Sequence, residues 1–124
     1  MSKTILLIAI VFLILAVSIG AFGAHGLKNH LSDEMIQVYK TGVEYHFYHA
    51  LGLLLVGILS ISMPSVYIKW SAILLGAGII LFSGSLYALA TTGVKGLGAI
   101  TPFGGLSFIA GWVCLFIAVV KYLK

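Results

Sequence analysis

The chain has 124 residues, of which 61% are hydrophobic and 8% charged, whereas soluble domains carry about 25% charged residues. That balance excludes a water-soluble domain, and the length makes 1–124 a single membrane domain with no room for a separate catalytic unit. All seven basic residues of this +4 chain are lysines, never more than two close together, which argues against a nucleic-acid groove and a polybasic lipid patch.

Four segments, near 4–23, 43–62, 66–92 and 102–122, have the length and apolarity of membrane spans. Each must be helical, because hydrocarbon offers an unpaired backbone amide no partner. Lys3, the following apolar stretch and Ala21-Phe22-Gly23 imitate a secretion signal. The run from Thr4 to Gly23 is too long for a signal core, so it is expected to be kept as the first span. Between the first two spans, Ser32 is placed to cap a helix whose first turn holds Asp33 and Glu34. Asp33, Gln37, Lys40 and Glu44 then share one face and Met35, Ile36, Tyr39 and Val43 the other, the pattern of an interfacial amphipathic helix over 33–42. A straight helix from 33 to 62 would be about 45 Å long against about 30 Å of hydrocarbon, so a bend is expected at Gly42.

Pro64 stops the second span and Ser65 caps the third. Gly93 is placed to end the third, and Thr101-Pro102 reads as a cap and first-turn proline for the fourth. Segment 93–105, "GVKGLGAITPFGG", is apolar and glycine-rich, and is expected to return against the bundle. Tyr67, Lys69 and Trp70, and Lys121, Tyr122 and Lys124, are interfacial anchors that should share one membrane face. Lys3 joins them there, against Lys28, Lys40 and Lys95 opposite, so the positive-inside rule puts both termini in the cytoplasm. The architecture expected is therefore an all-α, integral membrane four-helix bundle with an amphipathic helix and a return loop on its outer face. Its partners are membrane lipids and a homo-oligomer, not nucleic acid.

Small residues recur at helical spacing in every span, for example Ala16 and Gly20, Ala50 and Gly57, Ala77 and Gly84, and Ser107 and Gly111. Such faces let backbones approach closely, and packing drives helix association in lipid. Cys114, the only cysteine, is expected to pack as a small hydrophobe.

The most polar stretch at membrane depth is "EYHFYH", residues 44–49. Glu44 falls at the span boundary and His49 about 9 Å deeper. An unpaired charge at the bilayer centre costs roughly 2.5–3.5 kcal/mol on insertion scales, so these groups must be neutral, paired or near water. His46 and His49, with His25 from "GAFGAHGL", could offer three metal ligands, but structural sites want four and no Cys or carboxylate cluster completes the set; neither metal nor cofactor is expected. The favoured reading is a structural clasp, in which His25 at the exit of span one bonds to Glu44, Tyr48 and His49 entering span two. The alternative is a proton or solute pathway through Glu44, His25, His46 and His49, which needs a water-filled cavity and hence several copies. No nucleophile–base pair, phosphate loop or carboxylate dyad appears, and Ser83 and Ser85 lack an evident base, so no enzyme is expected.

Taken together, "GAFGAHGL" (20–27), "YHFYHALGL" (45–53), "FSGSLYAL" (82–89) and "LGAITPFGG" (97–105), followed by Gly111-Trp112, resemble the YgdD/YwdK-like small bacterial inner-membrane proteins, relatives of eukaryotic transmembrane protein 256. The resemblance spans nearly the whole chain. It implies a four-helix membrane protein with no assigned biochemical activity. It marks Gly20, Gly23, His25 and Gly26 in the first motif, Tyr48 and His49 in the second, and Ser83, Gly84, Ser85 and Tyr87 in the third. In the fourth it marks Thr101, Pro102, Gly104 and Gly105. His46 departs from that pattern, which weighs against the paired-histidine metal reading.

Overall fold

In the computed structural model, which describes residues 1–124, the chain is helical almost throughout. Helix α1 (Ser2–Phe22) runs on through a π-helical turn, Gly23–Leu27, and α2 spans Asp33–Ser62. The third span is α3 (Val66–Gly78), a second π-helical turn (Ile79–Ser83) and α4 (Gly84–Thr92). A 3-10 turn, Lys95–Ala99, leads into α5 (Thr101–Tyr122). Four continuous helical stretches, Ser2–Leu27, Asp33–Ser62, Val66–Thr92 and Lys95–Tyr122, are long and apolar enough to cross a bilayer.

The punctuation read from local chemistry is in place. Ser32 Oγ accepts the Met35 amide and Ser65 Oγ accepts the Ile68 amide, satisfying N–H groups that have no helical partner. Gly93 closes α4 in the left-handed region at φ 73°, its amide bonded to the Leu89 carbonyl, a conformation that a Cβ would strain. The 3-10 turn packs back against α4 and α5, so the glycine-rich return loop folds onto the bundle.

Three boundaries differ from the sequence reading. The first span runs four residues past Gly23, continuing through a π turn instead of ending. Segment 33–42 is helical, yet it forms the first turns of an unbroken α2. Gly42 serves there as a contact point: a Cβ on it would lie 2.9 Å from the Tyr87 ring and 3.3 Å from Leu86 Cβ. Thr101 does not cap α5; the 3-10 turn feeds that helix through Ile100, whose carbonyl accepts the Phe103 amide.

Helix α2 is the hub, packing on α1, α3 and α4, while α3 and α5 form the other close pair. The core runs from Ile5 and Ala9 of α1 through Leu53 and Val56 of α2 and Leu75 of α3 to Phe108 and Leu115 of α5. The outer faces are apolar too, with Leu7, Val11, Ile14 and Val17 of α1 and Leu106, Ile109 and Phe116 of α5 exposed. Between such surfaces lipid supplies no hydrophobic drive, so close packing and interhelical hydrogen bonds must hold the helices.

Both devices are present. A Cβ on Gly52 would strike the Trp112 ring, on Gly57 the Leu6 and Ile5 side chains, and on Gly104 the Phe82 backbone. Serine hydroxyls bridge the same seams. Ser60 Oγ donates to Ser2 Oγ at 2.6 Å, Ser71 Oγ to the Gly111 carbonyl at 2.8 Å, and Ser107 Oγ to the Leu74 carbonyl at 2.6 Å. Gly111 shows how the two cooperate: without a Cβ to strike Leu75, its backbone comes near enough to α3 for Ser71 to reach its carbonyl. Each such bond contributes about 0.6–1.7 kcal/mol in a membrane. Lys121 Nζ donates to Tyr67 Oη at 3.4 Å, which joins the two anchor clusters on one face as the sequence required.

Candidate functional site

One stripe of α2 collects most of the polar chemistry at membrane depth. Tyr39, Gly42, His46, His49, Leu53, Val56 and Ser60 are all buried, and their spacing alternates three and four, which keeps a single seam facing neighbouring helices. Tyr39, Gly42, His46 and His49 lie toward the α2 N-terminus, Leu53 and Val56 at its middle, and Ser60 near its C-terminal end.

His46, 3% exposed, is the centre of this seam. Its Nδ1 lies 2.8 Å from the Tyr87 hydroxyl, a bond between α2 and α4, and its ring meets Phe12 of α1 edge-on at 5.9 Å. Its Nε2 is buried without a hydrogen-bond partner. In either tautomer that atom is left unsatisfied, as a donor if Tyr87 gives its proton to Nδ1 and as an acceptor otherwise. Tyr39, 5.4 Å from the Tyr87 ring, extends the seam to α1 by donating its hydroxyl to the Ile19 carbonyl at 2.5 Å.

The "FSGSLYAL" motif supplies the opposing wall. Ser83 Oγ donates to the Gly42 carbonyl at 2.7 Å, Ser85 Oγ pairs with Thr101 Oγ at 2.6 Å, and Tyr87 reaches His46. Three residues of one motif thus tie α4 to α2 and α5. The π turn just before them shifts the helix register, as such bulges do. Gly84, between the two serines, faces open space. In the fourth motif, Gly104 lies against the Phe82 backbone, whereas Gly105 has only the Phe82 ring at 4.0 Å.

His49 occupies a second, aromatic layer. Its ring stacks on Phe108 with centroids 3.5 Å apart and planes 10° apart, and its Nδ1 is satisfied by the Tyr45 carbonyl one turn back, at 2.8 Å. Trp112 and Phe82 complete the layer around Tyr45, His49 and Phe108.

The clasp expected from the sequence is not formed by the residues chosen for it. His25 is exposed and no side-chain bond reaches it; Glu44 is exposed, and Tyr48, 58% exposed, meets only Tyr45 edge-on. The reason is geometric. At 100° per residue, Glu44 and Tyr48 lie about 160° from His46 on opposite sides of it, so turning His46 inward turns both outward. A clasp does join the exit of α1 to α2, but Tyr39 makes it. Gly20 and Gly23 explain why: a Cβ on Gly23 would overlap the Tyr39 ring, and one on Gly20 would press Val43 at 3.3 Å. His25, His46 and His49 do not converge, and no group of three His, Cys, Asp or Glu side chains is placed to hold a metal.

Two substitutions separate these assignments. Tyr39→Phe should lower unfolding stability in detergent by about 1 kcal/mol, the worth of one interhelical bond. His25→Ala should change it by less than about 0.5 kcal/mol, as expected for an exposed side chain without partners. Denaturant titration of the two variants side by side measures the difference.

Chemically, the seam offers one imidazole with a free nitrogen, a phenol on its other nitrogen and no carboxylate or nucleophile in contact. It is suited to holding helices in register and, at Nε2, to exchanging a single proton.

Comparison with known proteins agrees with this architecture. A family profile described as "Protein of unknown function (DUF423)" matches residues 19–105, a range that contains all four quoted motifs and the whole Tyr39–His46–Tyr87 seam. The UPF0382 membrane protein YwdK of Bacillus subtilis is 47% identical over 122 residues, covering 98% of this chain and 99% of the relative. UPF0382 membrane protein SH2409 of Staphylococcus haemolyticus is 45% identical over 120 residues, covering 97% and 98%. A UPF0382 membrane protein of Staphylococcus epidermidis is 46% identical with the same coverage. No solved structure matches the chain. On the strength of a profile spanning most of the sequence and relatives matched end to end, the chain belongs to the DUF423 family of UPF0382 membrane proteins.

Proposed function

We propose that this protein is a structural element of the cell membrane, a self-packed four-span bundle that contributes to bilayer integrity and catalyses no reaction. The observation that carries the reading is the continuity of the packing. Apolar contact runs from Ile5 to Leu115, and hydroxyl bonds or glycine contacts pin α1 to α2, α2 and α3 to α5, and α4 to α5. A transport path needs a wet, deformable centre, which helices fastened in this way resist. The lysine distribution, with Lys3, Lys69, Lys121 and Lys124 at one end, supports cytoplasmic termini.

A second reading rests on one atom. Nε2 of His46, buried and unpaired, is the kind of intramembrane group that relays protons. One experiment separates the two readings: purified protein reconstituted into vesicles, with proton flux followed by an internal pH dye under an imposed gradient. The structural reading expects flux equal to protein-free vesicles. It further expects a deletion strain to take up a membrane-impermeant dye faster, with rescue by the wild type and by His46→Gln. Flux above the lipid background that His46→Gln abolishes would instead establish the relay.

A further inference from the structure

A groove of about 480 Å³ lies on the bilayer-facing side between α1 and α3, within the roughly 300–1,000 Å³ of small-ligand pockets. It exists because both helices lean on α2 more than on each other. Leu53 of α2 forms the floor, Ile8 of α1 and Ala72 and Ile73 of α3 form the walls, and Lys69 and Thr4 stand at the rim. Lys69 belongs to the end of the bundle that carries Lys3, Lys121 and Lys124, since the Ser2–Ser60 bond puts the start of α1 beside the end of α2. The only carboxylate side chains, Asp33, Glu34 and Glu44, come from the far end of α2, so none competes for Lys69. Lys121 is already engaged by Tyr67; Lys69 has no such partner.

A lysine head at the headgroup level above an oily trough matches one chemistry, a phosphate bearing a net negative charge with a hydrocarbon tail below it. We propose that this groove is a specific site for one anionic phospholipid, its phosphate on Lys69 and the Thr4 hydroxyl and one acyl chain along Ile8, Leu53 and Ile73. The site is separate from the His46 seam, and it stands whether or not the bundle relays protons.

Native mass spectrometry of the protein in an uncharged detergent, titrated with phosphatidylglycerol or phosphatidylcholine, tests this. The wild type should retain one phosphatidylglycerol in preference to phosphatidylcholine. Lys69→Gln should weaken phosphatidylglycerol about fivefold, the effect of one cation at an anionic surface, and leave phosphatidylcholine unchanged. Lys121→Gln, at the same end but outside the groove, should keep the preference, and Ala72→Leu, which fills the trough, should lower retention of both lipids. Equal losses from Lys69→Gln and Lys121→Gln would overturn the proposal in favour of diffuse surface charge. So would a wild type without preference, or a dimer that Ala72→Leu dissociates, which would make a second copy the occupant.

Discussion

Gly104→Ala is expected to be the most damaging single methyl addition in the protein. The new Cβ would fall on the Phe82 amide nitrogen, Cα and Cβ, and a backbone cannot swing aside as a side-chain tip can. The π turn Ile79–Ser83 and α5 would have to separate, stretching the Ser85–Thr101 bond and loosening Phe82 and Phe108, which pack 5.5 Å apart. Overpacking in a tight core costs about 1–3 kcal/mol, and the variant should reach the top of that range. Gly84→Ala is the matched control, because nothing lies within 4 Å of its added carbon; replacing glycine by alanine inside a helix should there raise stability by up to about 1 kcal/mol. Denaturant unfolding in detergent, followed by Trp112 fluorescence, reads both. Equal stabilities would mean that the π turn at Phe82 and α5 are not in the contact described.

Tyr87→Phe should be the second largest effect. It removes the one side-chain hydrogen bond of His46, beside a ring nitrogen that already lacks a partner, for which a cost of about 2 kcal/mol is expected. His46→Phe removes the orphan nitrogen together with the bond but strands the Tyr87 hydroxyl, which the second substitution removes in turn. The double variant should therefore be more stable than Tyr87→Phe alone, with a coupling of about 1 kcal/mol or more in a double-mutant cycle. Additive losses would show that the two side chains do not act as a pair.

What was legible in the sequence was what local chemistry decides. The spans, the caps at Ser32 and Ser65 and the left-handed Gly93 depend on neighbours within a turn, and they stand where the residues put them. Side-chain partners between helices depend on how far each helix is rotated about its axis, which is set by the whole bundle. The sequence reading favours Glu44 and Tyr48 over His46 because His46 departs from the family pattern, and the relative faces of residues 44–49 do not by themselves say which face turns inward. The signal was available: alternating three and four spacing from Tyr39 through Gly42, His46, His49, Leu53 and Val56 to Ser60 marks one seam, and residues 44 and 48 fall outside it. Tyr39 lies on the apolar face of 33–42 that the pattern marks, and its hydroxyl, one polar atom on an otherwise apolar stripe, is the partner for the end of span one. The π turns were invisible, since nothing in "GAHGL" or "IILFS" distinguishes a five-residue hydrogen-bond loop from a four-residue one.

Helix α1 is fastened to its neighbour near both ends, by Ser2 with Ser60 and by Tyr39 with the Ile19 carbonyl, and between them it rests on apolar contacts and the edge-on meeting of Phe12 with His46. A plank bolted at top and bottom cannot tilt without drawing one bolt. Sliding along its own axis is barred too, because the bolts lie about 25 Å apart and both would lengthen together. Because both fastenings are to α2, α1 takes up its single register only when both ends of that helix are in place.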